Sequence, residues 1–451
     1  MDQNIILVDH NVHEKDLQRL TTDENSSNGE NHDIDIVDPW CDPENLHFIT
    51  FDDIVQAKER IKSLIIHTPC TKAHFLSDML GMELYFKRDF QQVTGSYKER
   101  GALNTLLLLD EESRKRGVIA ASAGNHAQAL SYHGKLLNVK VTVVMPEIAP
   151  LMKIDMCKKR GAAVVIYGKD FNEAKCKALH LAKEHGYVYI NGFDHPHAIA
   201  GLGSLGVEIL QDDVKSNVDA VLVPVGGGGA LAGISLAVKH LSPKTKVYGV
   251  EAERCPSFTE ALKIGKPVKI KPGSTSADGL CVPQVGYNAL AIAQNLIDGV
   301  ITVDEESLAL AILRLLELEK CVVEAAGAAP LAAILSGILP ELKGKRVVAL
   351  LSGGNIDTTC LGHCIERGLV HDRRLIEFTV QISDRPGGMM ELSTFLYRAG
   401  VSIKDLNIES PFVMSDIFST RVNVVAETRD AQHADQLVAA LKKHYKHVIC
   451  S

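Results

Sequence analysis

The sequence has few aromatic residues and little basic character, and both absences exclude classes of function. Aromatic residues make up 5% of the 451, with a single Trp, which is too few for a surface that stacks nucleic acid bases. The formal net charge of -8 repels a phosphate backbone, so we exclude nucleic acid as a partner. The hydrophobic fraction of 46% and the charged fraction of 23% are those of an ordinary globular protein.

Long apolar runs and closely paired cysteines are also missing. No segment has eighteen consecutive apolar residues, and residues 1–10 lack a basic flank, so we expect neither a membrane span nor a signal peptide. The ten cysteines include no C-x-x-C pair, which favours reduced thiols in the cytoplasm. Residues 1–45 are rich in Asp, Glu, Asn and Ser and predict a disordered acidic extension, with a short interaction tail as the alternative.

Residues 46–370 alternate between β-branched apolar runs and stretches of helical period. This alternation predicts an α/β fold with a mainly parallel sheet. The strands run toward Gly, Pro or Ser, so loops of special geometry lie at their carboxyl ends, where open α/β sheets bind ligands. We predict buried strands at residues 139–145, 163–167, 220–225, 246–251 and 346–351.

The pattern changes after residue 373. Strands are predicted at 375–383, 403–409, 418–426 and 448–450, and helices at 389–399 and 431–445. The resulting order, β-α-β-β-α-β, is that of a ferredoxin-like unit. We therefore expect a separate small domain at residues 375–451.

Lys98 lies between a glycine-containing turn, Thr94-Gly95-Ser96-Tyr97, and the helical run 102–109. A lysine can form a Schiff base with a carbonyl cofactor if its amine is desolvated or lies among other cations, and Arg100 is nearby. Most lysines at helix starts are instead solvated. The local sequence leaves both interpretations open.

A second segment, Ser122-Ala123-Gly124-Asn125-His126, lies between the apolar run 118–121 and a predicted helix. Free backbone N–H groups at the helix start would suit a carboxylate, and Asn125 could bond a ring hydroxyl. Helix capping alone would also explain Ser122 and Asn125. We interpret His126 as structural, because no second His lies at metal-ligand spacing.

The most informative segment is a run of four glycines that follows the strand at 220–225. Consecutive glycines cost backbone entropy without packing a side chain, and they can form a nest of N–H groups around a phosphate. The pattern is not that of an NTPase P-loop. The run consists of Gly226, Gly227, Gly228 and Gly229.

Three further polar residues adjoin glycines. Ser352 follows the strand at 346–351 and either faces a heterocyclic nitrogen or caps the next segment. Asp278 and Glu324 are carboxylates in glycine-flanked positions, and each is compatible with a simple turn. Local sequence does not separate these alternatives.

Taken together, residues 50–365 resemble the fold-type II pyridoxal-phosphate enzymes, in the branch of threonine dehydratases, serine dehydratases and serine racemases. The resemblance implies a catalytic domain at 46–370 made of two open, mainly parallel α/β lobes, with the small lobe inserted at about 119–192. It also implies pyridoxal 5'-phosphate as the cofactor, an amino acid as the substrate, and a homodimer or homotetramer.

The resemblance assigns roles to the quoted residues. Lys98 would be catalytic and hold the cofactor covalently, with Tyr97 and Gly279 flanking its ring. The 3-hydroxyl of the cofactor would contact Asn125, and its pyridine nitrogen would contact Ser352. Its phosphate would be bound by Gly226 to Gly229. The substrate would be bound by Ser122, Gly124, Asn125, His126 and Asp278.

The implied reaction is β-elimination of water from L-threonine or L-serine, giving 2-oxobutanoate or pyruvate plus ammonia. One alternative is a serine racemase with dehydratase side activity; racemases carry a second serine where this chain has Ala123, which cannot carry a proton. Another is a catalytically idle amino-acid sensor. Racemase-like proteins also bind a divalent ion through a Glu and an Asp. Here they match Glu251 and Ser257, which leaves a mono- or divalent cation at Glu251 open.

The C-terminal unit resembles an ACT domain through Asp384-Arg385-Pro386-Gly387-Gly388 and its order of elements. Such domains commonly pair their sheets across subunits and bind amino acids near the glycine turn. The resemblance implies a regulatory role with an amino-acid or nucleotide effector, and a purely architectural role in dimerisation is the alternative.

Overall fold

The computed structural model describes residues 36–214, 217–409 and 417–450. Residues 1–35 of the predicted acidic extension lie outside this part of the chain. The described residues form three β-sheets with helices packed against them. None of their helices is long and apolar enough to cross a membrane.

The strands are short and, in the catalytic region, mostly buried. In chain order they are β1 (Cys70–Lys72), β2 (Glu83–Lys87), β3 (Val118–Ala121), β4 (Val141–Met145), β5 (Ala163–Ile166), β6 (Val188–Tyr189), β7 (Ala220–Pro224), β8 (Lys246–Ala252), β9 (Gly299–Val303), β10 (Arg346–Leu350), β11 (Leu375–Ser383), β12 (Ser402–Glu409), β13 (Ser419–Glu427) and β14 (Val448–Cys450).

Most of the longer helices begin at a polar cap or a glycine. In chain order they are α1 (Phe51–Ile61), α2 (His74–Leu80), α3 (Lys98–Leu107), α4 (Glu111–Arg116), α5 (Asn125–Leu136), α6 (Leu151–Lys159), α7 (Phe171–His185), α8 (Pro196–Val207), α9 (Gly229–Leu241), α10 (Ser257–Ile264), α11 (Tyr287–Ala293), α12 (Glu305–Arg314), α13 (Ala325–Leu335), α14 (Thr358–His371), α15 (Gly388–Ala399) and α16 (Ala431–His444). Short 3-10 turns lie at Asp89–Gln91, Asp278–Leu280 and Pro340–Leu342, and π-helical turns at Glu208–Asp213 and Leu315–Glu319.

The largest sheet has the order β1-β2-β10-β7-β8-β9 and is parallel except for β1 at its edge. Strand β7 and nearly all of β8 and β10 are buried, as expected of parallel strands covered by helices on both faces. Two apolar clusters, one on each face, form the core of this lobe. The predicted α/β fold is confirmed here.

The second sheet, with the order β5-β4-β3-β6, is also parallel and lies between residues 118 and 189. Its strands β3 and β4 are buried along their whole length. Strand β4 begins at Val141, two residues after the predicted start, because Asn138 at the preceding turn has a left-handed backbone with φ of 54°. We call this part the inserted lobe and the first sheet with its helices the main lobe.

The third sheet is antiparallel, with the order β12-β13-β11-β14. Helices α15 and α16 supply Leu392, Leu396, Leu437 and Leu441 to its apolar core. Burial alternates along β11 and β13, as expected when one face of a sheet is covered and the other is open. This order of elements and strands is ferredoxin-like, and all of its predicted elements are present.

Residues 36–45 correct the predicted limit of the acidic extension, because they pack against both lobes. Ile36 contacts an apolar cluster of the inserted lobe. Trp40 lies 4.9 Å from the His195 ring, and its carbonyl accepts a hydrogen bond from Asn288 Nδ2 at 2.7 Å in the main lobe. The contacts come from Ile36 and Trp40, two apolar residues within the otherwise polar extension. We call residues 36–48 the strap.

Candidate cofactor and substrate site

Lys98 is the first residue of α3, four residues before the predicted start of that helix. The preceding segment is fixed to the loop after β10, since Tyr97 N donates to Ser352 O at 2.9 Å. The Lys98 amine donates to the Gly192 carbonyl at 2.7 Å, at the end of the inserted lobe. Burial lowers the pKa of Lys98 to about 8. About a tenth of the amine is therefore uncharged at pH 7, far more than for an ordinary lysine, which suits a nucleophile or a base.

Arg100 does not activate Lys98, contrary to one of our expectations. Its guanidinium is fully buried and donates to Asp89 at 2.8 and 2.9 Å and to Glu208 at 2.6 and 2.9 Å. Lys87 also pairs with Glu208, at 2.6 Å. Because two carboxylates compensate its charge, desolvation remains the cause of the lowered pKa of Lys98. These four charged residues instead anchor α3 beneath the amine.

The four-glycine run bends from β7 into the start of α9 and leaves no room for side chains. A Cβ at Gly227 would lie 2.2 Å from the Phe193 ring. Gly228 has a φ of +94°, which residues with a side chain rarely adopt. The first N–H groups of a helix have no partner within it, so this turn offers a place for an anion. A phosphate fits this cradle.

The loop before α5 contains the predicted carboxylate-binding segment. The Ser122 hydroxyl accepts hydrogen bonds from the backbone N–H groups of Gly124 and Ala127, both at 3.3 Å, so it caps the helix start. A Cβ placed on Gly124 would meet nothing within 4 Å, which leaves open space beside this loop. His126 is buried, lies 3.1 Å from the Ile190 carbonyl, and is uncharged because burial lowers its pKa to about 3.

Asn125 belongs to a chain of polar side chains that links the two lobes. Its Nδ2 donates to Glu324 Oε1 at 2.7 Å, and its Oδ1 accepts from Asn355 Nδ2 at 2.8 Å. Asn355 Nδ2 also donates to the Thr94 carbonyl at 2.8 Å. These bonds fix which way the Asn125 amide points. An amide nitrogen has two N–H groups, so the second can donate to a ligand hydroxyl.

The sequence analysis named Glu324 without giving it a role in the site and did not single out Asn355, yet both bond Asn125. Burial, together with the nearby Asp278 carboxylate, raises the pKa of Glu324 to about 7. A Cβ on Gly353 would lie 2.2 Å from Glu324 Oε1, so this glycine is needed for the close approach. Both residues belong to glycine-flanked segments that we noted. No local signal indicated that the two segments meet.

The remaining predicted residues surround the same cleft. The Lys98 amine lies 5.2 Å from the centre of the Tyr97 ring, and Ser352 is buried beside the loop after β10. A Cβ on Gly279 would lie 3.1 Å from Ala326 and 3.9 Å from Glu324 Oε1.

Asp278 lies at the edge of the cleft, more than half exposed, and forms an ion pair with Lys153. Lys153 belongs to α6 of the inserted lobe and has only 12% of its side chain exposed. No motif in the sequence singled it out. The pair joins the two lobes beside the predicted substrate-binding residues.

Glu251, which the sequence analysis left open as a cation ligand, bonds the start of a helix. It is fully buried, and both of its carboxylate oxygens bond the start of α10: Oε1 accepts from Phe258 N at 2.6 Å, and Oε2 from Thr259 N at 2.9 Å. The Thr259 hydroxyl also donates to Oε2, at 2.7 Å. In the described ranges, no cluster of three or more His, Cys, Asp or Glu side chains could hold a metal. Glu251 is a helix cap.

These residues fit pyridoxal phosphate. The site offers a partly buried amine of lowered pKa from the segment after β2, together with an oriented amide, an anion cradle at a helix start and a buried serine at the carboxyl ends of β3, β7 and β10. An amine can form the covalent link to a carbonyl carbon, and the cradle can hold a phosphate. The arrangement joins groups from both lobes around one cleft.

Comparison with known proteins finds relatives that agree with this interpretation of the site. The model of the family "Pyridoxal-phosphate dependent enzyme" matches residues 61–353. An L-threonine ammonia-lyase of Thermotoga maritima is 37% identical over 393 residues, which are 87% of this chain and 97% of that protein. A catabolic L-threonine dehydratase of Staphylococcus aureus is 42% identical over 326 residues, 72% of this chain and 94% of that protein.

Solved structures agree with these sequences. Threonine deaminase isoform 2 of Solanum lycopersicum is similar with a TM-score of 0.66 and 37% identity, over 72% of this chain and 90% of that one. Maize serine racemase is similar with a TM-score of 0.67 and 28% identity, over 72% of this chain and all of that one. The chain belongs to the family of pyridoxal-phosphate-dependent enzymes.

Proposed function

We propose that this protein is an L-threonine ammonia-lyase, which converts L-threonine to 2-oxobutanoate and ammonia. The observation that carries the proposal is the position of Lys98, whose partly buried amine of lowered pKa lies between the two lobes and donates to Gly192 O. Relatives named as threonine ammonia-lyases or dehydratases are 37% to 42% identical to this chain. The enzyme is a carbon–nitrogen lyase.

We propose the binding roles that the family resemblance implies, and the positions of these residues support them. Pyridoxal phosphate, when bound, withdraws electrons from the α-carbon of the substrate. The N–H groups of Gly226 to Gly229 would hold its phosphate, Asn125 would donate to its ring hydroxyl, and Ser352 would pair with its ring nitrogen. The loop from Ser122 to His126 binds the substrate carboxylate at the start of α5, where unpaired N–H groups favour an anion.

Lys98 also moves the proton in the reaction. Its amine takes the α-proton of the substrate, a task for which a pKa of about 8 is well matched to neutral pH. The hydrogen bond to Gly192 O fixes the amine on one side of the cleft. His126 is uncharged and does not compete for this proton, because its pKa is about 3.

The side chain at position 123 favours elimination over racemisation. Racemisation needs a second proton carrier opposite the Lys98 amine, and the methyl group of Ala123 cannot act as one. L-Serine differs from L-threonine by one methyl group, which is worth about 1 to 3 kcal/mol of discrimination in an apolar pocket. We therefore expect a slower dehydration of L-serine to pyruvate.

We also propose that residues 375–451 are an ACT-like regulatory domain. Support comes from the ferredoxin-like order of its elements and from the glycine turn before α15, where Gly387 has a φ of +105°. The 393-residue match to the Thermotoga protein is longer than the two lobes, so that relative extends into this region. An amino acid or a nucleotide is the expected effector, in a cytoplasmic homodimer or homotetramer.

The test is 2-oxo acid release from L-threonine and L-serine by the purified holoenzyme. We expect the parent protein to release 2-oxobutanoate. Lys98→Ala should lose at least about 10³-fold in this activity and should also lose the absorbance band of the bound cofactor. Lys159→Ala, an exposed lysine at the end of α6, is the control and should keep both. D-Serine formation without 2-oxo acid would contradict the proposal, and so would full activity of Lys98→Ala.

A further inference from the structure

A buried carboxylate follows Lys98 in the chain and has no role in the proposed reaction. Glu99 is the second residue of α3, and its side chain is fully buried. Its Oε2 lies 3.0 Å from Nε2 of His133, an equally buried residue of α5 in the inserted lobe. Its Oε1 accepts a hydrogen bond from the backbone N–H of Thr94. The carboxylate therefore ties the turn before Lys98 to a helix of the inserted lobe.

The same turn and the same helix are tied a second time, at the start of α5. Asn355 Nδ2 donates to the Thr94 carbonyl and to Asn125 Oδ1, both at 2.8 Å. Asn125 is the first residue of α5, and His133 lies about two turns further along this helix. The hydrogen bonds therefore form a closed circuit. We call it the ring, and it runs through Asn125, Asn355, Thr94, Glu99 and His133 and closes along α5.

Two polar atoms of the ring have no hydrogen-bond partner. In the part of the chain that the structure describes, Thr94 Oγ1 and His133 Nδ1 are buried and unpaired. An unpaired buried polar group costs stability, so apolar side chains of similar size would fill this space more favourably. The hydrogen bonds that the ring does form are therefore better explained by the geometry that they impose than by a gain in stability.

The ring also requires close contact at the turn itself. Gly95 follows Thr94 and has a φ of +79°, which residues with a side chain rarely adopt. A Cβ on Gly95 would lie 2.5 Å from Asn355 Oδ1, so glycine is needed for the Asn355 amide to approach the Thr94 carbonyl. The Gly95 carbonyl also accepts from Gly354 N at 2.9 Å. Lys98 therefore follows a turn that is held on several sides.

The ring fixes a distance on which the proposed reaction depends. The Lys98 amine must reach the α-carbon of a substrate whose carboxylate is held at the start of α5, and reacting atoms need to lie about 3 to 3.5 Å apart. We propose that Glu99 and His133 are positioning residues, which hold Lys98 in place relative to the start of α5. The inference rests on the proposed function for its substrate. Binding of the cofactor by Lys98 reports on the same contact whether or not the protein dehydrates threonine.

The first test changes Glu99 in two ways. Glu99→Leu removes both hydrogen bonds, and because a misplacement of about 1 Å can cost about 10²-fold in rate, kcat per bound cofactor should fall by about 10- to 100-fold. The KM for L-threonine should stay within about threefold, since Asn355 still holds the start of α5. Glu99→Gln keeps an oxygen for Thr94 N and supplies an N–H to His133 Nε2, so it should restore kcat to within about threefold of the parent.

The second test approaches the ring from the other helix and uses a second readout. His133→Leu should lower kcat per bound cofactor as Glu99→Leu does, and it remains informative if Glu99→Leu does not fold. Pyridoxal phosphate is then titrated into each protein and followed by the absorbance band of the bound cofactor. Both Leu variants should raise the apparent Kd by at least about fivefold, because a displaced Lys98 amine forms a less stable link.

The matched control lies on the same helix. The buried Thr105 hydroxyl donates to the Gly101 carbonyl at 2.9 Å, outside the ring. Thr105→Val should lower stability but keep kcat per bound cofactor and the apparent Kd within about twofold of the parent.

The inference is overturned if the Leu variants that fold keep the parent's kcat per bound cofactor and apparent Kd. It is also overturned if Thr105→Val loses as much as they do, because the effect would then be one of stability. A loss in Glu99→Gln equal to that in Glu99→Leu would overturn it too, since the charge of Glu99 would then act instead of its hydrogen bonds. A parent protein that releases no 2-oxobutanoate would instead refute the proposed function, and the cofactor titration would still decide this inference.

Discussion

The inserted lobe and the C-terminal unit each contain a sheet of four described strands, yet the two sheets meet water differently. In the inserted lobe, parallel strands β3 and β4 are buried on both faces. In the C-terminal unit, the antiparallel strands bury one face, and β12 is exposed along nearly all of its eight residues. The first sheet is part of an interior, and the second presents a surface.

Buried charge follows the same division. The two lobes enclose Arg100, Asp89, Glu208, Lys87, Glu99, Glu251 and Glu324. In the described residues of the C-terminal unit, the buried polar side chains are Thr420, Thr428 and His433, and none is an Asp, Glu, Lys or Arg. Burying charge is costly unless it is paired, and the lobes pair most of theirs, as Arg100 does with Asp89 and Glu208.

The largest expected effect comes from breaking the buried cluster. Arg100→Met leaves Asp89 and Glu208 without their main cation, and removing one partner of a buried pair costs about 3 to 5 kcal/mol. Arg373→Met, which breaks an exposed pair with Asp435 at the edge of the C-terminal unit, should cost about 1 kcal/mol or less. Urea unfolding of both variants measures the difference. Equal losses of unfolding free energy in the two variants would contradict the difference in buried charge between the lobes and the C-terminal unit.

A smaller, pH-dependent effect is expected at Glu324. Its folded pKa of about 7 lies above the usual value of 4.5, so the folded state holds this proton more tightly and loses stability as pH rises from about 5 to 7. Glu324→Gln removes this loss. The stability of the variant relative to the parent should rise by on the order of 3 kcal/mol across that range and then level off. A difference that is constant with pH would be inconsistent with a buried ionisable carboxyl.

The smallest effect on stability, with a clear effect on assembly, is expected at β12. This long edge strand carries Ile403 and Ile408, which are 41% and 47% exposed. If subunits pair along this edge, Ile408→Lys should lower the particle mass in light scattering and change the unfolding free energy by about 0.5 kcal/mol or less. Ile449→Lys on the opposite edge strand, β14, is the control. An equal fall in mass for both variants would argue against association through β12.

Much of the fold could be predicted from sequence because its signals are local. Buried parallel strands are continuous apolar runs, and those at β7 and β10 were placed to within one residue. Alternation in the C-terminal strands was equally clear, and β11 and β14 have the predicted bounds. The limit of the acidic extension was wrong, because Ile36 and Trp40 pack through contacts with residues far along the chain.

The site was predictable where one segment carries the chemistry, as in the glycine run and Lys98. It was not predictable where two segments must meet. Glu324 and Asn355 bond Asn125, which lies more than 190 residues away in the chain. Lys153 likewise pairs with the distant Asp278. The contact of Glu251 with the start of α10 was not predictable for a related reason, because no pattern around Glu251 itself indicated it.

The strap gives the molecule a natural optical reporter. Trp40 is the only tryptophan of the chain, and its ring lies among the imidazoles of His47, His195 and His197. Ile36 of the same segment packs on the inserted lobe, while the Trp40 carbonyl is bonded to the main lobe. A rotation of one lobe against the other would therefore displace this segment. We expect the indole emission of the unmodified protein to report such a rotation without an attached dye.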